Sequence, residues 1–529
     1  MKKEPYYKYL YSYRNKGVSM EIQKLNRHIS PAAILLSSAG GMIGSGWLFS
    51  SFYSAKIAGV GALIAWVLGA ICMLFIGLPL CELGALYPVS GGLANYPKFT
   101  HGTQIGFVFS VLLWLSYVVM TPIEVQAVLQ YASVFYPSLV HKNLVQVELS
   151  KQGYFVAAIL MMLFVIFNTL GIRIIAEANK YISIFKFGAP LIAVCAFLYA
   201  APSLNNLSLL NLSTVTSWHN IFSALAVGGV VFAFTGFQNG LILAGEVKNP
   251  QRNIPISILG AIITGFCIYF LLQFAFIIAV PSELLKGGFS HLSFPGEEGP
   301  LVGLGLVLGL SFIVKIIILD SVISPLGTSI VYTTATSRIL YGMAENGFLP
   351  KIILKLNKNK IPYITLIVNF AFGMLVFFPF PSWQKMVAFL SSMSILSYSV
   401  GSICLLALRK QQPNISRPFF LPFHNIICYI SFYVCNLMLY WCGKEINIKL
   451  LVCVLISLIV AKLFYKESNQ QSILKPILWF IVYICFLTIT SYFGNFGGNG
   501  FIPAPFDYVA LFLISLGILK WSVAVASRM

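Results

Sequence analysis

The 529 residues are 58% hydrophobic and 9% charged, whereas an ordinary soluble domain carries roughly 25% charged residues. With a mean hydropathy of +0.86, this excludes a water-soluble fold and leaves one large membrane domain whose side chains mostly face lipid or other apolar helices. A net charge of +19 would point to nucleic acid in a soluble protein. Here its distribution marks one face of a membrane, and no nucleic-acid partner is expected.

Residues 1–30 form a basic, tyrosine-rich tail (Tyr6, Tyr7, Tyr9, Tyr11, Tyr13) with no apolar core. The tail is therefore read as a cytoplasmic surface segment and not as a cleavable signal. At about 20 apolar residues per crossing, spans are predicted at 31–54, 60–86, 104–135, 153–171, 181–201, 220–244 and 255–280. The series continues at 303–337, 363–380, 384–408, 420–442, 448–465, 474–493 and 506–526, which makes about fourteen transmembrane helices. Within the crowded 363–408 region one crossing could instead be re-entrant. The runs are continuously apolar and do not alternate, so the fold class is all-α and a membrane β-barrel is excluded.

Alternating the loops from a cytoplasmic N-terminus tests this series, because Lys and Arg concentrate on the cytoplasmic side. The loops assigned to that side hold 25 of the 34 Lys and Arg, and the outer loops hold seven. Lys186 and Lys315 lie within spans. A missed or invented span would have thrown the alternation out of phase. Both termini are accordingly expected in the cytoplasm of a cell bounded by a plasma (inner) membrane.

The ten cysteines fall in or beside apolar segments without a C-x-x-C, and all six histidines lie outside span interiors. Neither disulfides, a metal site nor another cofactor is expected. No Walker A loop or exposed catalytic triad is present. The chain therefore reads neither as an enzyme nor as a pump with its own ATPase.

Two spans contain interruptions. AGGMIGSG (39–46) sets Gly40, Gly41, Gly44 and Gly46 in the middle of the first, and Gly228, Gly229, Thr235, Gly236 and Gly240 interrupt the sixth. Each glycine weakens a helix by about 1 kcal/mol relative to alanine. Lipid cannot satisfy the peptide groups so released, so such a segment must be shielded by protein or line a cavity. A close helix-packing face is the other reading of the first segment. Two interrupted helices five spans apart is the pattern of an inverted-repeat secondary transporter. Free N–H groups at a half-helix start suit an anion and freed carbonyls suit an ammonium, so a zwitterion meets both.

At this point the residues resemble the amino acid-polyamine-organocation (APC) superfamily of permeases. The likeness rests on GGMIGSGWLF (41–50), CELGALYPVSGGLANYP (81–97), FAFTGFQNGLILAGEVKNPQRNIP (232–255) and SRILYGMAENGFLP (337–350), and with span order covers roughly residues 30–410. It implies an inverted-repeat 5+5 fold with discontinuous spans 1 and 6. The first five-helix repeat would occupy 31–201, the second 220–408, and accessory helices 419–529. It further implies that a substrate carboxylate rests on the N–H groups of Ser45 and Gly46, with Gly44 allowing close approach. The ammonium would meet carbonyls of Met42, Phe232 and Thr235, and Phe232 or Phe234 would form an aromatic lid. Many relatives have Glu where this chain has Gln238, which weakens any scheme needing a titrating carboxylate there and disfavours a cationic substrate. PIEVQAVLQY, FPGEEGP (294–300) and DSVISPLGT (320–328) look most like the branch containing aspartate-proton symporters.

Charges inside spans cost at least about 2.5 kcal/mol at mid-depth, so Glu124, Lys186 and Asp320 need partners or a function. The resemblance places Lys186 where some proton-coupled relatives carry a lysine that replaces a bound sodium ion. Near span-1 carbonyls and the Ser324 and Thr328 hydroxyls of span 8 it would act as a tethered cation able to release its proton once per cycle. The alternative is a lysine snorkelling to the cytoplasmic interface. Glu124, two residues after Pro122, could pair with Lys186 and take part in proton transfer, or serve as a static polar anchor. Asp320 reads as structural, Glu82 as an inner-gate or packing residue. The expected function is a secondary active amino acid transporter, driven inward by protons through alternating access. The alternative is an amino acid or amine exchanger on the same fold.

Overall fold

A computed structural model of the chain describes residues 27–527 except 28, 90, 143–146, 170–171, 201–203 and 465–473, so most of the basic tail lies outside the described residues. The helices run in chain order as α1 (Pro31–Met42), α2 (Gly46–Ala58), α3 (Ala62–Leu86), α4 (Gly92–Val118), α5 (Met120–Ala132), α6 (Lys151–Thr169) and α7 (Ile172–Ala200). There follow α8 (Val215–Val227), α9 (Val230–Phe234), α10 (Asn239–Ile242), α11 (Pro250–Ala279), α12 (Pro300–Val307) and α13 (Ser311–Glu345). The chain continues with α14 (Tyr363–Val376), α15 (Trp383–Tyr398), α16 (Val400–Gln411), α17 (His424–Trp441), α18 (Lys444–Phe464), α19 (Leu474–Phe493) and α20 (Phe506–Ala526). A short antiparallel hairpin, β1 (Val140–Lys142) and β2 (Val147–Leu149), pairs Val140 with Leu149 ahead of α6 and was not anticipated.

Eight helices among the described residues are long and apolar enough to cross a membrane, and a ninth if Val215–Val227 and Val230–Ile242, bent by 43°, count as one span. Local chemistry sets their limits. Ser30 caps α1 by accepting from the Ala33 N–H at 3.2 Å, with Pro31 in the first turn, where its missing N–H costs nothing. Thr214 caps α8 in the same way, and Gly229, at φ +94°, bends the chain between α8 and α9. Large apolar side chains such as Phe155 on α6, Ile459 on α18 and Leu513 on α20 are left exposed on the outer surface, as a lipid-facing belt requires.

Loops expected on the same side of the membrane contact one another. On one face Ile29 bridges to Val247, Lys98 Nζ donates to Asn346 Oδ1 at 2.6 Å, and Gln411 Nε2 donates to the carbonyls of Thr100 and Ala526 at 3.1 and 2.7 Å. On the other, Lys142 pairs with Glu297 and Glu298 at 2.6 and 3.3 Å, Asn206 donates to the carbonyls of Ile277 and Val280, and Lys449 reaches the Pro379 carbonyl. α14 runs from Thr365, bonded to Ser337, to a C-terminal end where Phe377 packs on Tyr154.

One buried ionic cluster joins α3 to α16. Glu82 is fully buried and accepts from Arg409 Nε and Nη2 at 3.0 and 2.6 Å and from the Leu421 N–H at 2.9 Å, with Arg417 Nη1 3.5 Å away. The Arg409 guanidinium and a peptide N–H bond the carboxylate and the Arg417 charge lies close by, which is the condition for a buried charge to be tolerated. Glu82→Gln should therefore cost about 3–5 kcal/mol and lower the thermal unfolding midpoint in detergent. Glu445→Gln removes an exposed ion pair with Lys449 at 2.8 Å and should leave the midpoint within error of the parent.

Candidate substrate and coupling site

The first interruption spans residues 43–45. α1 stops at Met42, Ile43 is extended with φ −87° and ψ 92°, and α2 begins at Gly46. The second lies at 235–238, where α9 ends at an extended Thr235 and Gly236 adopts φ +129° before α10. The second unwound stretch touches the last turn of α1, where the first begins. A Cβ on Gly236 would sit 2.5 Å from the Gly41 carbonyl carbon and 2.6 Å from the Met42 nitrogen. Only glycine adopts that dihedral without strain, and only glycine admits that approach.

Several of the peptide groups freed at the breaks have partners within the protein. The Ser45 N–H donates to Glu124 Oε2 at 2.8 Å, and the Ser45 hydroxyl donates to Oε1 at 3.2 Å. The carboxylate of α5 thus sits on the positive end of α2, where the resemblance put a substrate carboxylate. Lys186 on α7 donates to the Gly40 carbonyl at 3.0 Å and the Thr328 hydroxyl at 2.7 Å, and Thr328 donates to the Ile43 carbonyl at 3.4 Å. Lys186 is only 2% exposed, so it points inward and does not snorkel. A Cβ on Gly44 would lie 2.6 Å from Glu124 Oε1 and 2.9 Å from Thr328 Oγ1. Gly44 therefore occupies the gap between the acid and the hydroxyl that holds the lysine.

The other expected ligands are also engaged. The Met42 carbonyl accepts from Tyr269 OH at 2.7 Å, the Phe232 carbonyl accepts from the Thr235 N–H and hydroxyl, and Gln238 Oε1 accepts from the Gly236 N–H at 2.8 Å. Phe232 lies beside Gly46 and meets Trp383 edge-on at 5.6 Å, so it faces the breaks. Phe234 packs behind them on Trp66 and Tyr269. Ser324 donates to Asp320 Oδ1 at 2.9 Å and Trp47 Nε1 donates to Oδ2 at 3.0 Å, so this acid anchors α13 to α2 and Ser324 does not bind Lys186.

Several groups escaped sequence reasoning. Trp383 lies one residue before the predicted start of its span, yet its indole N–H donates to the Ser45 hydroxyl at 3.1 Å and its ring packs on Phe49 and Tyr53. With Tyr131, which donates to the Leu48 carbonyl at 2.7 Å, these rings form an aromatic plug over one side of the breaks. On the other side Tyr117 donates to Asn239 Oδ1 at 3.1 Å and its ring lies 5.0 Å from that of Tyr332. Closed on both sides, the arrangement is occluded. No group of three His, Cys, Asp or Glu that could hold a metal ion occurs among the described residues.

A membrane-embedded pair of interrupted helices whose peptide ends meet and are sealed above and below by aromatic layers defines a solute transporter. The amino acid permease family model matches residues 29–487, and the chain belongs to that family. It is 32% identical to the glutamate/serine transporter AimA of Bacillus subtilis over 518 residues, covering 95% of this chain and 94% of that protein. It is 34% identical to the aspartate-proton symporter of the same organism over 498 residues, covering 92% and 94%. The branched-chain amino acid permease BcaP, also from Bacillus subtilis, is 24% identical over 474 residues. The protein is thus a multi-pass membrane permease for amino acids.

The contact between the breaks is directly testable. Gly236→Ala should abolish amino acid uptake in proteoliposomes, because its Cβ drives the two breaks apart. Gly188→Ala, which meets nothing within 4 Å, should transport at close to the parental rate.

Proposed function

We propose that the protein is an amino acid symporter that couples inward transport to protons by alternating access. Two inverted five-helix repeats, 31–201 and 220–408, would carry the site, and helices of 419–529 would be accessory. The contacts among loops expected on the same side support fourteen crossings. The basic residues concentrated on the face of Lys98, Arg338 and Arg409 support a cytoplasmic assignment for that face and for both termini, in a plasma membrane.

The observation that carries the reading is the Glu124 carboxylate on the Ser45 N–H. In the occluded state this acid occupies the place that a substrate carboxylate would take on the N–H groups of Ser45 and Gly46. A proton on Glu124 removes its charge from the start of α2 and frees that place, so proton and substrate anion arrive together. The substrate ammonium would replace Tyr269 at the Met42 carbonyl and draw on the carbonyls of Phe232 and Thr235, with Phe232 as lid and the neutral Gln238 beside it. Lys186 ties α1 to α13 through Gly40 and Thr328. Loss of its proton would weaken that tie and let α1 swing, which couples the proton to the conformational change.

One relative bears the name of an aspartate-proton symporter and another that of a glutamate/serine transporter, which supports a small polar or acidic substrate. The predicted substrate-lining segments contain no Arg, and the nearest cation, Lys186, is already engaged, so a neutral amino acid such as serine fits at least as well as a dicarboxylic one.

In proteoliposomes, Lys186→Ala should lose uphill uptake driven by an inward proton gradient while retaining substrate counterflow. Full concentrative uptake by that variant would remove the coupling role. Equal counterflow and no gradient-driven uptake in the parent protein would make it an exchanger.

A further inference from the structure

Away from the breaks, a cavity of about 210 Å³ opens between α6, α13, α14 and the loop joining α13 to α14. Its polar floor is satisfied internally. The Thr334 hydroxyl donates to Asn168 Oδ1, Asn168 Nδ2 donates to the Phe164 carbonyl at 2.8 Å, and the hydroxyls of Ser337 and Thr365 bond to each other.

Charge, by contrast, is left over. Arg338 reaches Glu246 only at 4.0 Å, and Lys360 has no carboxylate within salt-bridge distance among the described residues. Both line the cavity. From 338 to 360 the chain carries Arg338, Lys351, Lys355, Lys358 and Lys360 against the single acid Glu345. The ligand that this cavity would draw is an anion.

A second feature selects the kind of anion. Leu356 and Leu366 form an apolar wall, and on the turns of α6 and α14 that carry the lining residues Asn168 and Leu366 the apolar side chains Ile166, Phe167 and Ile367 are each about half exposed. A small soluble anion has no use for such a wall, whereas an amphiphile with a charged head uses both parts. We infer that the cavity receives the phosphate headgroup of an anionic phospholipid, with Arg338 and Lys360 on the phosphate and the acyl chains along the seam between α6 and α14.

The inference does not depend on the coupling ion or on the amino acid carried. It does connect to the site mechanically, since Arg338 lies about three turns along α13 from Thr328. A lipid held at that end would fix the helix to which Lys186 is tethered.

Native mass spectrometry of the full-length protein released from detergent tests it, with phosphatidylglycerol, phosphatidylcholine and glycerol 3-phosphate as probes. Phosphatidylglycerol should be retained roughly thirtyfold more strongly than phosphatidylcholine, the order expected of two cations at a headgroup. An Arg338→Gln/Lys360→Gln double variant should lose that preference. Arg338→Lys/Lys360→Arg, which keeps both charges, and Lys444→Gln/Lys449→Gln on the opposite face should retain it. Equal retention of the two lipids by the parent, or an undiminished preference in the double Gln variant, overturns the inference. Displacement of phosphatidylglycerol by equimolar glycerol 3-phosphate makes this a soluble phosphate-ester site and overturns the lipid assignment.

Discussion

Everything in this fold answers to a single demand, that peptide N–H and C=O groups released inside a membrane find partners in protein. An uninterrupted helix meets it internally. α1 and α2, and again α9 and α10, do not, and lipid offers nothing in exchange. The groups that meet the need come from distant parts of the chain: Glu124 from α5, Lys186 from α7, Tyr269 from α11 and Thr328 from α13. The first interruption therefore organises the bundle around itself, because these four groups each draw in a different helix.

In the proposed mechanism the hydrogen bonds that stabilise the occluded state are the ones a substrate would exchange. A zwitterion brings an anion for the start of α2 and a cation for the end of α1, so it can substitute for protein groups without leaving a peptide group bare. This is a physical reason to place binding at the breaks. The bonds that hold the periphery are of another kind. The Glu82, Arg409 and Arg417 cluster is buried and multiply bonded, and suits a joint that keeps α3 and α16 together while other helices move.

The aromatic layers belong to both descriptions. Phe49, Tyr53, Trp383 and Phe232 close one side of the breaks by ring packing, while Tyr117 and Tyr332 stand on the other beside Asn239. Rings seal apolar space efficiently, yet their polar edges can bond to groups facing the site. Trp383 does both, through its stack on Phe49 and its N–H on Ser45.

The sequence by itself determined that the chain is a helical membrane protein, where its apolar runs lie and where two of them are interrupted. These properties are local: composition, run length and glycine placement act within one or two helical turns. It also made Glu124, Lys186 and Asp320 conspicuous, because a charge in an apolar run is costly whatever surrounds it. Which groups those charges meet was decided only by tertiary structure. Glu124 and Ser45 are far apart in the chain, as are Trp47 and Asp320, and no local pattern encodes such pairings. Trp383 and Tyr269 escaped notice for the same reason. An aromatic residue near a span end or within an apolar run is unremarkable until helix packing turns its one polar atom onto a broken backbone.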